Sequence, residues 1–322
     1  MIYEQAAILF NTQRQGSRNL EIRITDWRAS RDIIRKIREE VFIKEQNVPP
    51  ELEWDEYDIE AIHFLALDGR NPIGCARLMH TGKFGRMAVL REFRGQHWGS
   101  RLINAIEDFA RNELQIREIR AAAQAHAVPF YQKNGFNIEA GFFDDAGIPH
   151  LNIYKAPGAP ETNYVFRPGR DKNIYPQNDL VSLVGWVEMI LAMRPRNAII
   201  TCCDLTHPLW WDKAALNAVR EFALDSHRRR VKILIPSERG GINRHPLLRL
   251  QQRLSSRISL RVSPEVQDDL LITAPWGLLQ LTDETQGIAT MGDASRVKRM
   301  EAYYKPLTET GQRPREARRL SL

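Results

Sequence analysis

Residues 84–110, FGRMAVLREFRGQHWGSRLINAIEDFA, run from a strand-forming stretch through a short loop into helical periodicity. The loop, Arg94 to Ser100, consists of Arg94, Gly95, Gln96, His97, Trp98, Gly99 and Ser100. A strand–loop–helix of this kind aims free backbone amides and the positive end of a helix at one point, to which Arg94 adds a formal charge. The chemistry predicted is the binding of an anion such as a pyrophosphate. Glycine suits it because backbone must approach phosphate oxygens closely, where a Cβ would interfere. A glycine turn that merely starts a helix fits the loop alone equally well.

The elements that must position this loop are legible on both sides of it. Glu21 to Thr25 alternate as a strand, and Ile33, Ile34, Ile37 and Val41 then recur at helical spacing. Ile62 to Leu67, Ile73 to Met79 and Phe84 to Leu90 read as an antiparallel meander, separated by the turn sequences DGRNP and HTGK. Helical spacing from Trp98 to Leu114 is followed by a strand at Ile116 to Ala123, a short helix beginning near Pro129, and strands near Phe136 and at His150 to Tyr154. KAPGAPET then reads as a linker. Beyond it, strand-like runs at Ala198 to Cys203, Val231 to Pro236 and Ile258 to Val262 alternate with helical stretches at Ala214 to Leu224 and Leu247 to Leu254, which argues a second α/β layer.

With 322 residues, two hydrophobic cores are the default. The organisation expected is an N-terminal extension over 1–19, a first domain over 20–156, a linker over 157–176 and a second domain over 177–322. At 43% hydrophobic and 27% charged the chain has a globular composition. Its three cysteines cannot build a disulfide framework, and no secretory leader is visible, so a cytoplasmic location is expected. The longest apolar stretch, Leu180 to Met193, contains Glu188 and is too short to span a bilayer, so no membrane is expected. Residues 1–160 carry 21 basic and 22 acidic side chains and residues 161–322 carry 25 and 18, which places the net charge of +6 in the second half. No His/Cys cluster has ligand spacing, and no metal is expected.

REFRGQHWGSRLI, preceded by MAVL, resembles motif A of the GNAT superfamily of N-acetyltransferases, with His97 where the family usually has its first glycine. AQAHAVPFYQKNGF (123–136) resembles motif B. FFDDAGIPHLNIY (142–154), VFIKEQNVPPELEWDEYD (41–58) and RMAVL resemble a bacterial branch of that superfamily. The resemblance implies a mixed, twisted sheet flanked by helices whose two central strands splay apart, with the acyl group of acetyl-CoA in the gap. Backbone at Met87, Ala88 and Val89 would hold the pantetheine arm, the Arg94 to Ser100 loop the pyrophosphate, and Tyr131 would protonate the departing thiolate. The acceptor implied is an amine, on a small molecule or a protein.

Acyl transfer to an amine also needs a base and an acceptor site. The carboxylate-rich stretch 45–60 could attract a cationic amine, with Glu45, Glu53 and Asp55 as candidate contacts, although such stretches are also common solvated surface. His126 and His150 could serve as base or ligand, or be structural. Cys75 on an interior strand reads as core.

Residues 197–262 resemble a phospholipase D-like half-domain, and the fold class expected is therefore α/β throughout. The His-x-Lys-x4-Asp motif of that family is missing, so a regulatory, substrate-presenting or assembly role is expected rather than cleavage. DSHRRRVK and the C-terminal basic tail could meet nucleic acid, but a helix end stabilised by its basic residues is the simpler account. Three readings stand at this point: an acyltransferase first, then a degenerate acyl-CoA sensor whose second domain recruits a partner or nucleic acid, and last a nucleic-acid-binding protein whose acyl-CoA domain is regulatory.

Overall fold

The computed structural model describes residues 9–15, 18–158, 165–203, 205–238 and 245–314. The chain forms two compact units. The first contains 1–122, 133–137 and 152–161; the second contains 123–132, 138–151 and 162–322. Residues 123–132 of the motif B segment and residues 138–151 fall in the second unit, while residues 133–136 of that segment fall in the first. Residues 159–162 of the KAPGAPET linker and residues 315–322 of the basic tail lie outside the described residues.

In the first unit, β1 (Leu9–Gln15), β2 (Arg18–Thr25), β3 (Ile62–Asp68), β4 (Asn71–Leu78) and β5 (Phe84–Val89) form one antiparallel sheet in chain order. The meander is thus observed where expected. The supposed N-terminal extension supplies β1, which pairs along β2. Helix α1 (Trp27–Arg38) starts at Asp26, whose side chain accepts from the Ala29 N–H at 2.8 Å. It continues as a π-helix over Glu39–Glu45. Ile34, Ile37 and Val41 bury one face of this continuous helix against Leu65, Cys75 and Ala88, each such burial contributing about 1.5–3 kcal/mol.

A short helix, α2 (Pro50–Glu53), brings the acidic stretch back over the sheet. Arg38 is fully buried and donates from Nη1 to Asp58 Oδ1 at 2.7 Å and from Nε to the Glu53 carboxylate. Arg77 on β4 holds Asp58 at 2.8 Å and both oxygens of Asp55, and Arg86 on β5 reaches Asp55 Oδ2 at 3.2 Å. Three guanidinium groups therefore answer three carboxylates, and the Trp54 ring lies 4.9 Å from the Arg38 guanidinium carbon.

Helix α3 (Trp98–Asn112) packs on β3, β4 and β5 through Trp98, Leu102, Ile106 and Phe109. Strand β6 (Ile119–Gln124) meets the start of β5 at one parallel bridge, Lys83 with Arg120, where Arg120 N–H donates to the Gly82 carbonyl at 3.0 Å. A Cβ at Gly82 would stand 2.6 Å from the Glu118 carbonyl oxygen, so only glycine permits this approach. Beyond the bridge β5 stays in the first sheet while β6 joins another, of order β6, β9 (Ile148–Lys155), β7 (Asn137–Ile138), with β8 (Phe143–Asp145) on β9. β5 and β6 therefore part, as the resemblance implied. Helix α4 (Val128–Lys133) follows β6.

The second unit carries a seven-stranded sheet of order β10 (Tyr175–Gln177), β16 (Gly287–Thr290), β15 (Gly277–Leu281), β14 (Asp269–Thr273), β11 (Asn197–Thr201), β12 (Arg230–Ile235), β13 (Ile258–Val262). Only β11, β12 and β13 run parallel, connected through α6 (Lys213–Asp225) and α7 (Pro246–Arg253). The antiparallel half was not marked in the sequence, nor was α8 (Ala294–Thr310), which packs Val297, Tyr304 and Leu307 against Ile199, Leu234 and Leu270. Because β10 pairs with β16, the end of the expected 157–176 linker is part of this sheet. No described helix is long and apolar enough to cross a membrane.

Helix α5 (Leu180–Ala192) is the predicted buried helix, and it carries Glu188 at 8% exposure with Oε2 lacking a hydrogen-bond partner. Burial, aided by the charge of Asp212, raises its carboxyl to about 7. Raised in the folded state, this group favours folding below about pH 4.5, its ordinary value, and that contribution is lost as pH rises to about 7. Urea unfolding at pH 5 and pH 8 should show Glu188→Gln stabilising the protein at pH 8 by on the order of 3 kcal/mol, and by less at pH 5. In the first unit, Arg38→Ala should lower stability by about 3–5 kcal/mol in the same assay, because Glu53 and Asp58 would be left buried without their counter-ion.

Candidate active site

The Arg94 to Ser100 loop joins a strand to a helix, as its sequence predicts. Strand β5 ends at Val89, residues Arg91–Phe93 form one 3₁₀ turn, and α3 begins at Trp98, whose buried ring anchors the first turn. Gly95 has φ +77°, and His97, the N-cap, has φ +65° and ψ +10°. His97 thus occupies the left-handed conformation that glycine takes without strain, and it does so as an exposed side chain. No side chain caps the helix, and the first intrahelical N–H to find its carbonyl is that of Arg101, on His97, at 3.1 Å. The amides of Trp98, Gly99 and Ser100 are therefore first-turn donors of the kind an anion satisfies.

The charged member of the loop is placed differently from expectation. Both terminal nitrogens of Arg94 donate to Glu45, at 2.6 and 2.7 Å, and Nε donates to the Val89 carbonyl at 2.9 Å. Glu45 is thereby brought to the loop. Met87 and Val89 are half-buried on β5 and Ala88 is buried opposite Cys75. The strand pairing shifts register between Cys75 and Arg77, opposite the stretch where Arg86 takes φ +48°. A bulge of this kind bends the strand beside the gap it shares with β6.

Glu53 and Asp55, the candidate acceptor contacts, both belong to the ion network of Arg38, Arg77 and Arg86. Glu53 is 3% exposed, and burial raises its carboxyl against the pull of Arg38 and Arg86. Burial also pushes Asp55 upward, but hydrogen bonding and charge from Arg77 outweigh it and hold the carboxyl below its ordinary value. The three arginines that claim them, Arg38, Arg77 and Arg86, stand 39 and nine positions apart and share no spacing that sequence reading could use. Cys75, driven up to about 12 by burial, is no nucleophile at neutral pH.

Tyr131, His126 and His150 belong to the second unit. Tyr131 is buried on α4, its ring 5.1 Å from that of Phe130, and burial raises its phenol, keeping it protonated across the working pH range. His126 is exposed on the 3₁₀ turn Ala125–Ala127. His150 is buried, with Nδ1 donating to the Ile148 carbonyl at 2.8 Å and its ring stacked on Phe143.

Residues 60–138 match the acetyltransferase (GNAT) domain. Over 123 residues the chain is 42% identical to an uncharacterised N-acetyltransferase, YjcF, of Bacillus subtilis (strain 168), covering 37% of this chain and 87% of that protein. The chain belongs to the GNAT acetyltransferase family. The UPF0039 protein Rv2851c of Mycobacterium tuberculosis (strain ATCC 25618 / H37Rv) is 34% identical over 142 residues, covering 41% of this chain and 86% of the relative. Among solved structures, an acyl-CoA N-acyltransferase from Pseudomonas aeruginosa aligns with 43% of this chain and 100% of its own, at 25% identity and a TM-score of 0.39. Residues 185–320 match a domain of unknown function, DUF7931. That match assigns no activity to the second half.

The GNAT loop can be tested through His97. Left-handed backbone costs a side-chain-bearing residue about 1–2 kcal/mol, and more where the side chain is β-branched. His97→Gly should retain or improve both thermal stability and CoA binding, whereas His97→Val should weaken both, as read by melting and calorimetry on the same preparations.

Proposed function

We propose that this chain transfers an acyl group from acyl-CoA, acetyl-CoA first among the candidates, to an amine on a small molecule or protein by direct attack. The observation that carries the reading is the uncapped start of α3, held open by left-handed His97 at the end of the strand that parts from β6. CoA supplies the thioester. The chain's own part is to hold the pyrophosphate on the amides of residues 95–100, lay the pantetheine arm along Met87, Ala88 and Val89, and polarise the carbonyl in the gap. The neutral amine attacks the thioester carbonyl carbon, the tetrahedral intermediate collapses with cleavage of the C–S bond, the nitrogen gives up one proton to water, and the departing thiolate takes one up. Tyr131 matches the family tyrosine that donates a proton to that thiolate, and its raised phenol favours the donor form.

A second reading, an acyl-CoA sensor, is favoured by one observation. The candidate carboxylates Glu45, Glu53 and Asp55 are all held by arginines, which leaves none of them as a ready base. In that reading the C-terminal domain recruits a partner, and its β11–α6–β12–α7–β13 alternation is compatible with a phospholipase D-like half without the cleavage motif.

Calorimetry with acetyl-CoA and CoA, followed by thiol-release assays over an amine panel, separates the two. Binding with turnover supports the enzyme, and binding without turnover on any amine supports the sensor. Where turnover is found, Tyr131→Phe should lower kcat by about 100-fold or more while changing acyl-CoA affinity little. Unchanged kcat would remove Tyr131 from the mechanism.

A further inference from the structure

The first unit contains two arginine–carboxylate arrangements of opposite character. Arg38 and Glu53, at 1% and 3% side-chain exposure, cannot separate without leaving a buried charge unanswered. Arg94 and Glu45 are 40% and 31% exposed, so water screens the pair and its contribution to stability is small. The second pair can be exchanged. Its geometry is nevertheless complete, with both terminal nitrogens of Arg94 on both oxygens of Glu45 and Nε on the Val89 carbonyl.

A guanidinium fork accepts a phosphate in the same two-pronged manner as a carboxylate. The fork sits directly before Gly95 and His97, the two left-handed residues that open the amides of α3. Glu45 closes a π-helix, a rare conformation that recurs at functional sites, and the chain then turns through Asn47 at φ +58°. We propose that Glu45 is a positioning residue of the CoA site, occupying in the free protein the face of Arg94 that a CoA phosphate takes on binding. Glu45 keeps the fork aimed, with Nε anchored on β5, and is released when the phosphate replaces it. The inference rests on the CoA reading above and adds to it an exchange: each CoA bound breaks one ion pair and forms another.

The test is a double-mutant cycle on the full chain, with CoA binding measured by calorimetry for wild type, Glu45→Gln, Arg94→Ala and the double variant, and folding checked by circular dichroism. Because wild type must give up Glu45 to bind, Glu45→Gln should tighten CoA binding by about 3- to 10-fold. In the Arg94→Ala background, where there is no fork to release, the same substitution should leave the dissociation constant within about two-fold. Weaker or unchanged binding in folded Glu45→Gln overturns the exchange and makes Glu45 a purely structural brace. Equal tightening in both backgrounds overturns it too, since removing any nearby negative charge would then suffice. Wild-type protein that binds no CoA would overturn the CoA reading itself, a result distinct from both.

Discussion

A guanidinium without access to water must have its charge answered inside the protein, and Arg38 organises the first unit around that requirement. Its partners come from α2 and the turn that follows, while the partners' remaining charge is met by Arg77 and Arg86 on β4 and β5. One neutral network thus fastens a long acidic excursion to the strands beside the gap. The buried members, Arg38, Glu53 and Asp58, depend strongly on one another, and removing Arg38 leaves two carboxylates to bear the cost of burial.

That constraint decides what the candidate site can do electrostatically. Glu53 and Asp55, which in sequence look available for a cationic acceptor, answer Arg38, Arg77 and Arg86, and the candidate loop adds the backbone dipoles of the amides opening α3. Such dipoles are fixed by the fold and need no reorganisation when charge arrives, the property that makes helix starts effective phosphate sites. Arg94 is the one loop charge that is both well aimed and replaceable, because its partner lies at the surface.

The second unit solves a different problem. Its sheet is parallel in one half and antiparallel in the other, so β11 to β13 need helical crossovers while β14 to β16 follow one another through tight turns. The buried helix α5 admits a carboxyl group with an unsatisfied oxygen, and the protein accommodates it by favouring the neutral acid.

The sequence by itself determined much of the local structure. The meander, the strand–loop–helix around Arg94 and the parallel β–α–β stretches are written in periods and turn residues that act over a few positions. Val231 and Ile258 mark their strands as plainly as Gly95 marks its loop. Side-chain partnership is decided elsewhere. Nothing near Glu53 in the chain announces Arg38 and Arg86, nothing near Arg94 announces Glu45, 49 positions earlier, and the glycine-like backbone of His97 is visible only in φ. Charge in a sequence is a count, whereas the field at a site depends on which charges are already paired, and pairing over such separations exists only once the chain has closed on itself.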